Sequence, residues 1–141
     1  LALYLSYSRQ WAEKNLDSSE KFSLGGPSGV RAYPVSEASG DDGWKWTAEL
    51  RWNVPTREGD TNVWQMIVFV DGGHVSIYHE GYPGYTGPDS RSLYGAGLGV
   101  NWSNDDNWVA RVNYAWKLGH EPAVSDSDRS GRFWFQVYKF F

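Results

Sequence analysis

The sequence contains no cysteine. That one absence removes disulfide staples, thiolate metal sites and cysteine nucleophiles together, and it suits an exported bacterial protein. No apolar run approaches the 18 residues of a membrane helix; the longest in mid-chain is Met66-Ile67-Val68-Phe69-Val70. Cations are the minority, 13 Lys and Arg against 17 Asp and Glu, so a net charge of −4 argues against a nucleic-acid partner. The chain opens at Leu1 with neither Met nor a basic signal-peptide start. Leu1-Ala2-Leu3-Tyr4-Leu5 already reads as strand interior, which leads us to expect a piece of something longer. No segment has the period of an amphipathic helix. With 141 residues there is room for one domain at most.

Tryptophan is abundant, at nine residues, and period 2 dominates its placement. In the segment Trp44 to Val54 the even positions are Trp, Trp, Ala, Leu, Trp and Val, and the odd ones Lys, Thr, Glu, Arg and Asn. Successive strand side chains point to opposite faces, so one face is apolar and the other polar. The pattern recurs at Val63 to Gly73, Ser92 to Trp102 and Trp108 to Leu118. Weaker copies lie at Leu1 to Trp11 and Arg132 to Phe141. Six strands of about 10 residues follow, long enough to cross a bilayer when tilted. The connectors alternate. Pro55 to Asn62 and Ser103 to Asn107 are short turns; 12–43, 74–91 and 119–131 are long loops. Transmembrane barrels show the same asymmetry.

A soluble β-sandwich also alternates, with its apolar faces buried against each other. Two features favour lipid as the partner of the apolar face. Trp44, Trp52, Trp64, Trp102, Trp108 and Trp116 stand near strand ends, as in interfacial girdles. The chain also closes on the aromatic strand Arg132 to Phe141, and a terminal Phe such as Phe141 is a common assembly signal of bacterial outer-membrane barrels. Lys139 interrupts that face where it can snorkel to the interface. Six strands cannot close a transmembrane barrel, whose minimum is about 8. The expected fold is therefore an all-β antiparallel meander of about six strands over 1–141, part of a larger transmembrane barrel unless the piece oligomerises or is distorted.

The loop 12–43 holds Leu24-Gly25-Gly26-Pro27-Ser28-Gly29-Val30-Arg31-Ala32-Tyr33-Pro34, and runs on through Glu37, Gly40, Asp41 and Gly43. One hairpin later comes Phe69-Val70-Asp71-Gly72-Gly73. The first stretch resembles the Val-Arg-Gly-Tyr/Phe pattern, with Ala32 at the usual Gly, and the second meets Phe-x-Asp-x-Gly. Together, in this order, they resemble the haemolysin secretion/activation proteins, the TpsB transporters of two-partner secretion of the ShlB/FhaC/HecB type. The Gly-Pro setting and Pro34 favour that branch over the barrel-assembly factors of the same superfamily. Gly95 to Gly99, Tyr114 to Gly119 and Gly131 to Trp134 also sit as in the secretion family, so the resemblance covers nearly the whole chain.

The resemblance implies a sixteen-stranded barrel preceded by two POTRA domains, of which this chain is the last six strands. It implies export of a partner exoprotein, of haemolysin or adhesin type, across the bacterial outer membrane. Lipid and the barrel assembly machinery are the other implied partners, with no enzyme activity, cofactor or metal. It also implies that the long loop folds back into the barrel, with Arg31 at its tip and Asp71 on the inner wall. The residues support this separately. Asp71 falls on the odd face with Gln65 and Phe69 and needs a cation there. Arg31 lies among glycines and prolines that can form a turn, and a guanidinium pairs a carboxylate bidentately. Val30, Tyr33, Phe69 and Gly73 support the two motifs, and Glu49 and Arg51 point inward and extend the network. A solvated loop arginine is the plain alternative.

Other constellations fall short. His74, His79 and His120 lack metal-ligand spacing and read as loop residues. Asp126 to Gly131 is half a calcium loop spoiled by Arg129. Glu37 and Glu49 form a carboxylate pair only on paper. Gly95 to Gly99 lies within a strand and makes room for the loop rather than for phosphate. No nucleophile elbow is present. Two further readings stay open: an assembly factor of the same superfamily, and a soluble carbohydrate-binding module that stacks sugars on Trp.

Overall fold

The computed structural model describes residues 1–12, 17, 20–35, 37–76, 90–123 and 127–141. Its elements, in order, are β1 (Ala2–Gln10), β2 (Phe22–Ser23), β3 (Ser39–Gly40), β4 (Asp42–Asn53), β5 (Val63–Ser76), β6 (Ser90–Ser103), β7 (Trp108–Leu118) and β8 (Gly131–Lys139). Six of them form one antiparallel sheet in the order β1-β4-β5-β6-β7-β8. Each strand of this sheet pairs with the next in that order, and among the described residues the one insertion is the β2–β3 hairpin inside loop 12–43. The sheet is open, with β1 and β8 at its edges.

All six expected strands are present, but three run further into the long loops. β4 begins at Asp42, β5 continues to Ser76 and β6 begins at Ser90. The pairing Val75↔Arg91 and Gly43↔Val75 continues past the apolar alternation. Those backbone groups lie under the folded loop, where water cannot serve them, so the ladder itself must. His74 is consequently a strand residue, not a loop residue. Its Nδ1 lies 2.7 Å from the Ser92 hydroxyl, and its ring stacks on Trp44 with centroids 6.1 Å apart.

The two faces differ as the period requires. Met66, Val68, Val70, Leu98, Val100, Phe133, Phe135 and Val137 are all exposed on one of them. So large a contiguous apolar surface is foreign to a soluble monomer. Trp64 and Trp102 are register partners at the short-turn end, with ring centroids 6.2 Å apart. Tyr114 and Trp116 meet edge-to-face nearer the other end. From Tyr94 to Trp102 the strand runs roughly 27 Å, or about 21 Å of height at a tilt of ~40°, close to the apolar band of an outer-membrane barrel. Lys139 reaches the Asp106 carbonyl at the β6–β7 turn, passing over the Trp108 ring. Phe141 follows β8 and is exposed.

The core lies on the opposite, inner face, between wall and loop. Leu24, Val30, Ala32 and Tyr33 from the loop are fully buried against Phe69, Val75, Leu93 and Ala115 of the wall. Inward glycines create the space. A β-carbon at Gly95 would sit 2.7 Å from that of Ala32, and one at Gly73 would sit 2.6 Å from a Leu24 methyl.

The two faces should respond differently to charge. Leu98→Lys, at the middle of the apolar face, should destabilise the vesicle-inserted protein by about 2–4 kcal/mol, and inner-face Ser6→Lys by under about 1 kcal/mol. Urea unfolding in phosphocholine vesicles measures both; equal losses would contradict lipid on the apolar side.

Candidate functional site

The loop descends along the wall as a narrow ribbon, with Phe22↔Gly40 and Ser23↔Ser39 paired. Its tip then folds over itself. Gly26 accepts a φ of 105°, which a side chain would resist, and the Val30 amide donates back to the Leu24 carbonyl at 2.7 Å. This turn leaves Arg31 facing the wall.

Every nitrogen of the Arg31 side chain is used. Nε donates to Asp71 Oδ2 at 2.9 Å, one terminal nitrogen to Asp71 Oδ1 at 2.9 Å, and the other to Glu49 Oε1 at 2.8 Å. The fork therefore spans two ranks of the inner wall, because Asp71 stands opposite Thr47 and Glu49 stands opposite Phe69. Thr47 adds a hydroxyl donor to Asp71 at 2.8 Å. Arg51 closes the far side of Glu49 at 2.7 Å, so two cations and two carboxylates balance. Phe69 lies beneath the guanidinium, 3.4 Å from ring centroid to Cζ. The backbone of Arg31 is held as well: its N–H donates to Asp71 Oδ2 at 3.2 Å, and its carbonyl accepts from the Trp134 indole at 2.7 Å. Arg31 is 5% exposed and Asp71 fully buried, so neither charge has water to fall back on.

The structure thus brings together Arg31, Asp71, Glu49, Arg51 and Phe69. Val30 and Tyr33 are buried beside them in the loop, and Gly73 admits Leu24. A second cluster escaped sequence reasoning. Arg91 donates to Glu37 at 2.6 Å, to Glu121 at 2.8 Å and to the Pro122 carbonyl at 2.7 Å. It ties the loop's return limb to the β7–β8 connection. Tyr33 joins the same connection by donating its hydroxyl to the Glu121 carbonyl at 2.7 Å. Arg91 shares the odd phase of Gly95 and Gly97, so extending the period would have turned it inward. Glu37 carried no such signal, and its pairing with Glu49 is not realised, since different arginines engage the two. Lys21 and Asp41 form a further ion pair at 2.9 Å. Lys117 and Asp128 pair, and Asp128 also accepts from the Ala123 amide. His79 and Asp126 lie outside the described residues.

Residues 1–102 match the family described as haemolysin secretion/activation protein ShlB/FhaC/HecB. The chain belongs to that family. The heme/hemopexin transporter protein HuxB of Haemophilus influenzae (strain 86-028NP) is 28% identical over 141 residues, covering 99% of this chain and 24% of its own. The outer membrane transporter CdiB of Dickeya dadantii (strain 3937) is 31% identical over 112 residues, covering 79% of this chain and 19% of its own. The chain therefore spans about a quarter, or less, of the length of the curated relatives it matches. No solved structure matches significantly. The family consists of secretion and transport proteins, not enzymes, and the chain is an outer-membrane β-barrel segment of it.

Two predictions follow from the geometry. Removing one partner of a buried pair leaves the other charge stranded, so Arg31→Ala should weaken loop docking by about 3–5 kcal/mol. Arg31→Lys should lose part of that, since an ammonium cannot fork across two ranks. Amide hydrogen exchange of the loop in the intact protein reads both, and unchanged protection would refute the coupling. The Tyr33 hydroxyl is pushed up to about 12, first by burial and then by the Glu121 charge. Its folded value lies above the unfolded one of about 10. The stabilisation is complete below pH ~10 and is lost as pH rises through about 12. The tyrosinate difference titration of wild type against Tyr33→Phe should show its step near 12, not 10.

Proposed function

We propose that this chain is the C-terminal part of an outer-membrane translocator that exports a partner exoprotein by two-partner secretion. In this reading the apolar face meets lipid, the inner face lines the conduit, and loop 12–43 acts as an in-barrel plug. Arg31 locks the plug to Asp71, with Glu49 and Arg51 as its outer brace and Val30, Tyr33, Phe69 and Gly73 shaping the seat. The observation that carries the reading is the Arg31 fork, which spends three charge-assisted bonds holding a loop where a passing chain must go.

A buried ion pair suits a gate better than apolar packing does. Its net stabilisation is small because desolvation offsets attraction, yet its geometry is demanding. An incoming chain that brings its own polar groups and water lowers the cost of separating the pair. Docking is thus specific without being permanent. No bond chemistry is involved; folding of the exoprotein outside draws the chain forward. The names of the relatives, both transporters, support export over barrel assembly.

The test is a charge reversal in the full-length transporter. Arg31→Glu gathers three carboxylates at one point and should expel the tip. Secreted exoprotein should fall at least about tenfold, and loop protection in hydrogen exchange should collapse, while the barrel still inserts. Normal secretion together with unchanged loop protection would overturn the lock.

A further inference from the structure

Among the described strand residues, two Lys or Arg side chains stand on the apolar face, one at each end of its band. Lys139, at the short-turn end, is satisfied within the chain by the Asp106 carbonyl. Arg9, at the long-loop end, is exposed and has no acceptor among the described residues. Its guanidinium lies over the Trp11 ring, 4.5 Å from Cζ to centroid. One register row crosses four strands there: Arg9 opposite Trp44, Trp44 opposite His74, and His74 opposite Ser92. Directly opposed residues share a face of the sheet, so all four look outward. The row beneath holds Tyr7, Trp46, Gly72 and Tyr94 and opens the apolar band. Trp46 lies across Gly72, where a β-carbon would come within 2.8 Å of the indole. The row of Arg9 stands roughly 7 Å further along the strands, beyond the hydrocarbon and at headgroup depth.

The row offers donors and ring faces and no carboxylate. Asp42, one row further out, has an oxygen already taken by the Ala12 amide at 2.6 Å. The Ser92 hydroxyl can donate to His74 Nδ1, 2.7 Å away, which puts the ring proton on Nε2 as an outward donor. Trp44 stands between the strands of Arg9 and His74 and stacks on the imidazole, so a group resting over its ring lies between guanidinium and imidazole. We infer that this row binds the phosphorylated headgroup of a lipid in the leaflet at the long-loop end. A guanidinium forks two phosphate oxygens, and it does so best where water is scarce. A free anion would gain the same donors and nothing more. A lipid also gains the surface below, because its acyl chains lie along Tyr7, Leu5 and Leu3, all exposed on the same face of β1. The inference rests on lipid covering this face and adds which headgroup meets its rim.

The test uses the full-length transporter, purified in an uncharged detergent and titrated with lipid A, whose sugars carry phosphate, or with phosphatidylcholine. Native mass spectrometry reads the lipid retained. Wild type should hold lipid A about tenfold more tightly than phosphatidylcholine. Arg9→Gln should lose about tenfold in lipid A affinity, the value of one charge-assisted contact. His74→Phe, which keeps the stacking on Trp44, should lose about threefold. Lys139→Gln should stay within about twofold of wild type, and heat-modifiable migration should be unchanged throughout. If Arg9→Gln fails to fold, salt at about 0.5 M should still weaken lipid A retention by wild type and spare phosphatidylcholine; retention unchanged by salt overturns the site. Equal lipid A affinity in wild type and Arg9→Gln, or an equal loss in Lys139→Gln, overturns it too. Displacement of lipid A by millimolar inorganic phosphate assigns the row to a small free anion and overturns the lipid. If no protein retains either lipid and all stay monodisperse once detergent is removed, lipid contact with this face falls as well.

Discussion

Two carboxylates face inward from a wall with little water, and one guanidinium answers both. The rest of the inner architecture depends on that constraint. Asp71 is fully buried and Glu49 nearly so, and a carboxylate in such a place must find a cation or give up its charge. Arg31 supplies the cation from a different part of the chain, and bringing it there requires the ribbon, the tip turn at Gly26 and the glycine spaces at Gly73 and Gly95. The loop's apolar residues then find a core they would otherwise lack. Electrostatics fixes where the tip sits, and burial of Leu24, Val30 and Tyr33 supplies the weight behind it.

The Arg91 cluster changes how the loop must be regarded. A loop held at one point can swing; a loop held at Arg31 and again at Glu37 has a fixed path. Arg91 also gathers Glu121 and the Pro122 carbonyl, so the β7–β8 connection and the returning limb share one guanidinium. Ala38, with a φ of 54°, lies in that limb next to Glu37.

The outer face obeys a simpler rule. Its side chains are apolar along the band, as the proposed contact with lipid requires. The aromatic residues matter at the edges of the band, where an amphipathic ring serves both phases; the Trp102 indole donates to Asn62 in the short turn at 3.1 Å. The open edges at β1 and β8 cannot face hydrocarbon, which agrees with the small share of its relatives' length that the chain spans.

The sequence by itself determined the strands, their faces and the two motifs, because period 2 is local and a pleated strand leaves it no freedom. Asp71 and Glu49 could be assigned to the inner face from parity alone, and a partner for Asp71 was required by its charge. Only the tertiary structure decided that the fork reaches Glu49 as well, since that depends on the stagger of β4 against β5 and the depth of the tip. It alone joined Arg91 to Glu37 and Glu121, and it alone lined up Arg9, Trp44, His74 and Ser92 in one row. Register between strands is set by pairing across loops of unequal length, and no single segment carries that information. His74 illustrates the same limit: its own segment reads as loop, and only burial under a distant part of the chain keeps it in the ladder.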